Sequence, residues 1–191
     1  MTPPPSRPVP RSITVLSGGV GGARFLQGLL RLVERTGGDA SETRVTVVAN
    51  TADDIWLHGL KVCPDLDTVM YTLGDGIDPE RGWGRRDETW SVKTELAAYD
   101  VEPTWFGLGD RDIATHLVRT QLMNAGYPLS EITTALCSRW LAHDPQLRLV
   151  PMTDDRVETD ADIRARDANE VVEHAGESPG AGHRVRRFSH L

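Results

Sequence analysis

Cysteine, basic charge and long apolar runs are all scarce in this sequence. Only two cysteines, Cys63 and Cys137, occur in 191 residues. They lie far apart and form no metal-like spacing, so neither a disulfide framework nor a zinc cluster has a basis. No apolar run approaches the roughly 20 residues of a membrane span. The opening segment MTPPPSRPVPRS has no apolar core of a secretory signal. Basic residues are outnumbered, 21 Lys+Arg against 28 Asp+Glu, for a net charge of −7. A general binder of nucleic acid or anionic membrane needs the opposite balance. Together these absences predict a cytoplasmic protein with reduced thiols that engages neither nucleic acid nor membrane.

What is present is apolar mass for one core, with 39% hydrophobic residues, but it is unevenly spread. Residues 1–11 hold five of the twelve prolines and little that packs, which predicts a disordered, polyproline-like arm. Residues 12–159 alternate apolar runs with helical patterns and form the domain proper. From Asp160 to Leu191 the chain is rich in Arg, Ala, Asp, Glu, Gly and His. That tail has too little apolar area to offset its ordering entropy and is predicted to be disordered apart from a short helix over 161–175.

The middle reads as α/β. Ile13–Leu16 is a β-branched run ending at a glycine-rich turn. Leu26, Leu29, Leu30 and Val33 then follow the stripe of an amphipathic helix, stopped by Gly37 and Gly38. Val45–Ala49 is apolar on both faces, as a buried parallel strand is. The spacing predicts a right-handed βαβ unit. Further helices are predicted over 65–73, 86–98 and 110–124. Another, capped by Ser130, carries Ile132, Ala135, Leu136 and Trp140, and a late strand spans 147–150.

Two features could carry chemistry. Ser17-Gly18-Gly19-Val20-Gly21-Gly22-Ala23-Arg24 joins the first strand to its helix. Its glycines let backbone N–H groups approach an anion at a helix N-terminus. Arg24 stands where a dinucleotide fingerprint has its third glycine, and no Gly-Lys-Ser/Thr follows, so neither common nucleotide motif applies. The second feature is four carboxylate pairs: Asp53/Asp54, Asp65/Asp67, Asp110/Asp112 and Asp154/Asp155. Three follow apolar runs, where strand ends gather at the ligand-binding rim of an open sheet. Convergent carboxylates there suit magnesium, while those opening a helix also serve as caps. Trp56, Trp83, Trp90 and Trp105 cluster in the central stretch, and Trp83, flanked by Gly82 and Gly84, is placed to stack a planar ligand. His58 and His116 are candidate bases or donors. Arg81, Arg85, Arg86 and Arg111 are candidate anion holders.

The loop Ser17–Arg24, Asn50-Thr51-Ala52-Asp53-Asp54, Cys63-Pro64-Asp65-Leu66-Asp67-Thr68 and Leu108–His116 together resemble the 2-phospho-L-lactate transferase family. Gly59–Val62, Asp78–Gly84 and Met152–Asp155 resemble its actinobacterial phosphoenolpyruvate transferase branch. The resemblance implies a Rossmann-like, three-layer α/β fold with a mostly parallel sheet. It implies transfer of a phosphoenolpyruvate or 2-phospho-L-lactate unit from enolpyruvyl- or lactyl-diphosphoguanosine to the 8-hydroxy-5-deazaflavin precursor Fo. GMP is released and Mg2+ is required, as a step in coenzyme F-420 biosynthesis. Carried over by position, Gly18, Gly19, Gly21 and Gly22 contact ligand phosphates. Asp65 and Asp67 hold the metal or orient the acceptor hydroxyl. Asp54, Thr68, Asp110 and Arg111 line the acceptor and diphosphate sites. The family is a homodimer of longer chains, and the likeness to it fades after Thr159. The alternatives are therefore a truncated, inactive remnant and a related sugar-nucleotide-binding regulatory protein.

Overall fold

The computed structural model describes residues 10–35, 43–103 and 107–157. The expectations for residues 1–9 of the arm, for Gly37 and Gly38, for Trp105 and for the 160–191 tail lie outside the described residues.

In chain order the elements are β1 (Ser12–Ser17), α1 (Val20–Arg35), β2 (Arg44–Ala49), β3 (Ile55–Leu57) and β4 (Leu60–Val62). There follow α2 (Pro64–Leu73), α3 (Ser91–Ala98), α4 (Asp110–Asn124), α5 (Leu129–Trp140) and β5 (Leu147–Pro151). The three long strands form one parallel sheet in the order β1-β2-β5. Val15 stands opposite Val47, and Val47 opposite Leu149. This is the α/β, Rossmann-like arrangement expected from the sequence. The βαβ unit begins and ends within a residue or two of the apolar runs that announce it.

Register places the core. Val45, Val47 and Ala49 share one face with Leu147 and Leu149, and all are buried. Against that face pack Ala23 and Leu26 of α1, Leu66, Val69 and Met70 of α2, and Leu129 and Cys137 of α5. Each fully buried aliphatic side chain contributes about 1.5–3 kcal/mol. The central helix α2 is buried along nearly its whole length, from Leu66 to Leu73.

The structure departs from the sequence reading at three places. β3 and β4 pair as a small antiparallel hairpin that periodicity missed, because each has only three residues. Its turn is His58-Gly59, with φ of 51° and 76°. Two successive positive φ values define the tight turn that matches strand twist. The helix predicted over 86–98 starts only at Ser91. Ser130 lies inside α5, whose N-cap is Pro128. Its N–H and hydroxyl reach Asp154 at 2.7 and 2.9 Å, so the cap comes from a carboxylate remote in sequence.

Candidate functional site

The carboxyl ends of β1, β2 and β5 form one rim. Asn50 N donates to Ser17 O at 2.9 Å, and Met152 N to Ala49 O at 2.9 Å, so the loops after these strands stand side by side. The glycine loop opens α1 here. Gly19 O accepts the N–H of Ala23, and the first turn of α1 carries no acidic residue. Those leading N–H groups are a natural anion seat. Asp65, from the first turn of α2, comes up against Gly18 and Gly19. A Cβ on Gly19 would lie 2.5 Å from Asp65 Oδ1, and one on Gly18 3.3 Å from Oδ2. A side chain at position 19 would therefore have to displace this carboxylate.

Asp65 has a carboxylate neighbour, Asp53, from the loop after β2. Asn50 Nδ2 donates to Asp65 Oδ2 at 3.0 Å and reaches Asp53 Oδ1 at 3.5 Å, tying the two together. Burial, then the charge of Asp65, pushes the Asp53 carboxyl up to about 7. Two carboxylates held together repel, and either a proton or a cation between them relieves that repulsion. Among the described residues no group of three or more His, Cys, Asp or Glu side chains is arranged to hold a metal. Two carboxylates nevertheless match what Mg2+ takes from a protein when phosphate and water complete its shell.

Asp67, two residues on, turns the other way. Arg119 of α4 grips it with two N–H groups, Nη1 to Oδ2 at 3.0 Å and Nη2 to Oδ1. Arg119 and Asp67 are both buried, and the attraction of Asp67 overcomes desolvation to raise the Arg119 pKa. Arg119 Nη1 also lies 3.0 Å from His116 Nδ1. Guanidinium only donates, so Nδ1 accepts and the ring proton sits on Nε2, 3.2 Å from Asp112 Oδ2. Asp112 Oδ1 accepts from the Tyr71 hydroxyl at 2.6 Å, and Thr115 Oγ1 lies 2.8 Å from the same hydroxyl. Burial opposes charge on Asp112, but His116 and Tyr71 outweigh it and hold its pKa low. The result is a buried polar floor linking α2 to α4.

Asp54 lies beneath the rim. It is 3.3 Å from buried Lys61 Nζ and accepts the Cys63 thiol at 3.1 Å. Burial raises the Asp54 pKa against those partners, and raises that of Cys63 as well. Lys61 Nζ also donates to Val157 O at 2.6 Å, which ties the hairpin to the chain after β5.

Beside the α2 turn opens a cavity of about 250 Å³. Ile55, Val62, Leu108, Trp83 and Trp90 give it apolar walls. Asp67, Thr68, Tyr71, Asp112 and His116 form its polar side. The Asp78–Arg86 loop supplies the outer wall. Asp78 accepts N–H groups of Glu80 and Arg81 and pairs with the Arg81 guanidinium at 2.7 Å. Arg81 Cζ then lies 5.4 Å from the Trp83 ring centroid and 4.9 Å from that of Trp90. Trp83 remains 45% exposed, available to a ring entering the cavity. A second cavity of about 240 Å³, bordered by Val92, Leu96, Ile113 and Leu117, shares Gly107 and Leu108 with the first and has no carboxylate in its lining.

The remaining sequence candidates are placed as follows. Asp110 accepts from Thr89 Oγ1 at 2.5 Å and from the N–H groups of Ser91 and Val92 at 3.0 Å, capping α3. The Thr89 hydroxyl, then those N–H groups, depress its carboxyl to about 2. Glu88 answers by accepting the N–H groups of Arg111 and Asp112, capping α4. The Arg111 and Arg86 side chains are exposed, as is His58, while Gly21 and Gly22 lie in the first turn of α1. Trp56 sits on β3 with Arg156 over its ring at 5.6 Å. Sequence reasoning did not single out Asn50, Lys61, Tyr71, Glu88 or Arg119. No local signal marks Arg119: the buried face of α4 is Thr115, His116, Arg119 and Thr120, while the apolar Leu117 and Val118 are exposed.

Among the described residues no helix is long and apolar enough to cross a membrane. The model of the family described as 2-phospho-L-lactate transferase CofD matches residues 13–184. The chain is similar to the phosphoenolpyruvate transferase of Mycobacterium avium (strain 104), 59% identical over 159 residues covering 77% of this chain and 46% of that protein. It is similar to the one from Streptomyces griseus, 65% identical over 147 residues, covering 77% and 43%. A third, from Kitasatospora aureofaciens, is 59% identical over 160 residues, covering 84% and 47%. The chain thus spans less than half the length of these curated relatives. Matched by the family model from the first strand to beyond the last, the chain belongs to the 2-phospho-L-lactate transferase CofD family.

Proposed function

We propose that this chain carries a phosphate site and an acceptor site for transfer of a phosphoenolpyruvate or 2-phospho-L-lactate unit to Fo, a step in coenzyme F-420 biosynthesis. The donor in this reading is enolpyruvyl- or lactyl-diphosphoguanosine. The acceptor hydroxyl oxygen bonds to the phosphorus bearing the organic acid, the P–O bond to GMP breaks, and the hydroxyl proton is released. Such chemistry depends on positioning and charge neutralisation. The observation that carries the reading is the Asp53–Asp65 pair, set against Gly18 and Gly19 and beside the aromatic cavity.

In this reading the loop N–H groups receive the diphosphate. Asp65 and Asp53 would hold Mg2+, which when bound neutralises phosphate charge. Asp67 acts through Arg119, fixing the first turn of α2 between the two sites. Trp83 and Trp90 clasp the deazaflavin ring, and Thr68 faces it. The relatives' printed names, phosphoenolpyruvate transferase, favour the enolpyruvyl donor.

The test is incubation of the 191-residue chain with Fo, either donor and Mg2+, followed by chromatography for GMP and phosphorylated deazaflavin. Product formation supports transfer. Saturable Fo binding without product assigns binding alone to this chain. Absence of both contradicts the reading.

A further inference from the structure

The helix α3 buries none of its own residues. It is fastened at its first turn instead. Asp110 caps the N–H groups of Ser91 and Val92, and the methylene stem of Lys93 lies across Gly107, where a side chain would collide with it. Behind the helix lies the second cavity, about 240 Å³, walled by Val92 and Leu96 of α3, Ile113 and Leu117 of α4 and Leu60 of β4. Val92 and Leu117 remain 40% and 45% exposed. Apolar side chains that two neighbouring helices ordinarily bury against each other are here left facing a hollow.

Two ionisable side chains border this hollow, Lys93 and His58. Each is positive or neutral, and no Asp or Glu stands in the lining. Lys93 Nζ lies 5.9 Å from the Trp90 ring centroid, and among the described residues no carboxylate forms an ion pair with it. The aromatic cavity differs, because there Asp67, Glu88 and Asp112 stand beside Arg81 and Arg85. The volume also limits the occupant. A helix with its side chains is about 10–12 Å across and does not fit. The hollow lies just under the range of about 300–1,000 Å³ usual for ligand pockets, so its occupant is a small molecule.

We propose that the hollow between α3 and α4 is a second ligand site, for a small molecule with an apolar body and a single anionic group such as a carboxylate. The apolar body lies between Leu96 and Ile113, and the anionic group meets the Lys93 ammonium. An occupant gives α3 the apolar contacts it lacks, so binding and the order of α3 rise together. The site is separate from transfer to Fo and stands or falls without it.

The experiment titrates decanoate, and separately decanol, into the 191-residue chain by calorimetry, below the concentration at which decanoate forms micelles. Wild-type protein should bind one decanoate saturably. Lys93→Met, which keeps the stem and removes the charge, should weaken decanoate about fivefold or more and leave decanol unchanged. Lys93→Arg should restore decanoate binding. Hydrogen exchange locates the site: bound decanoate should slow the amides of Glu95 to Ala98 and leave those of α2 as they were. Decanoate binding that Lys93→Met does not weaken, that takes several molecules per chain, or that leaves α3 exchange unchanged overturns the proposal. So does an absence of binding. Dimerisation on sedimentation that Leu117→Asp abolishes, without decanoate binding, would give this face to a second copy of the chain instead.

Discussion

Gly19 and Asp65 approach so closely that a Cβ on Gly19 would lie 2.5 Å from Asp65 Oδ1, so a methyl group there must displace the carboxylate. Gly19 also precedes the first residue of α1, where glycine is preferred to alanine by only about 0.5–1 kcal/mol. The Gly19→Ala variant should therefore melt within a few degrees of wild type. It should bind GDP in the presence of Mg2+ at least tenfold more weakly, about 1.4 kcal/mol. Calorimetric titration beside a thermal melt separates the two effects.

The Asp53 carboxyl, pushed up to about 7 by burial and by Asp65, makes a signed prediction for pH. Its folded pKa exceeds the unfolded one, so between about pH 4 and pH 7 the folded state holds more protons than the unfolded state. The pair's contribution to stability therefore falls as pH rises through that window. Asp65→Asn should remove the charge term, lower the Asp53 midpoint in carbon-detected NMR titration, and flatten the fall in Tm. An Asp53 midpoint unchanged by Asp65→Asn would show that the two carboxylates do not interact.

Arg119 and Asp67 form the buried pair beneath the cavity. Removing one partner leaves an uncompensated buried charge, so Arg119→Met should destabilise the chain by about 3–5 kcal/mol. The double variant Asp67→Leu, Arg119→Met should cost less than either single change. Denaturant unfolding of the three variants checks this through the coupling energy.

Asp110 caps α3, a helix that buries none of its own residues. Asp110→Ala should leave global stability close to wild type while exposing α3 to local opening. Hydrogen exchange should show the amides of Thr94 to Ala98 losing protection as those of α2 stay slow. Strong loss of Mg2+-dependent GDP binding in this variant would assign Asp110 to the ligand instead.

These sites differ in how legible they were. Long apolar runs declare themselves, so β1, α1 and β2 could be read directly from Ile13–Leu16, Leu26–Val33 and Val45–Ala49, whereas the apolar stripe of α4, with Leu117 and Val118, lies exposed and its buried face is Thr115, His116, Arg119 and Thr120. Of the four aspartate pairs read from the sequence, only Asp53 and Asp65 meet at the glycine loop, while Asp110 and Asp154 cap helices. Asp53 pairs with Asp65 rather than with its neighbour Asp54, because the chain turns between them and Asp54 points inward to Lys61. Asp65 and Asp67 diverge because two steps along a helix rotate a side chain to another face. The exchange of caps between Glu88 and Asp110 depends on a tertiary approach of two helix starts, and no local pattern encodes it.

The central claim is that Asp65, with Asp53, makes the glycine loop a cation-assisted diphosphate site. Its most direct test is calorimetric titration of GDP into the 191-residue chain, with and without Mg2+, for wild type and Asp65→Asn. The account predicts Mg2+-dependent binding by the wild type, weakened at least tenfold in Asp65→Asn with the fold intact by circular dichroism. Equal binding by the two proteins, or binding indifferent to Mg2+, would contradict it.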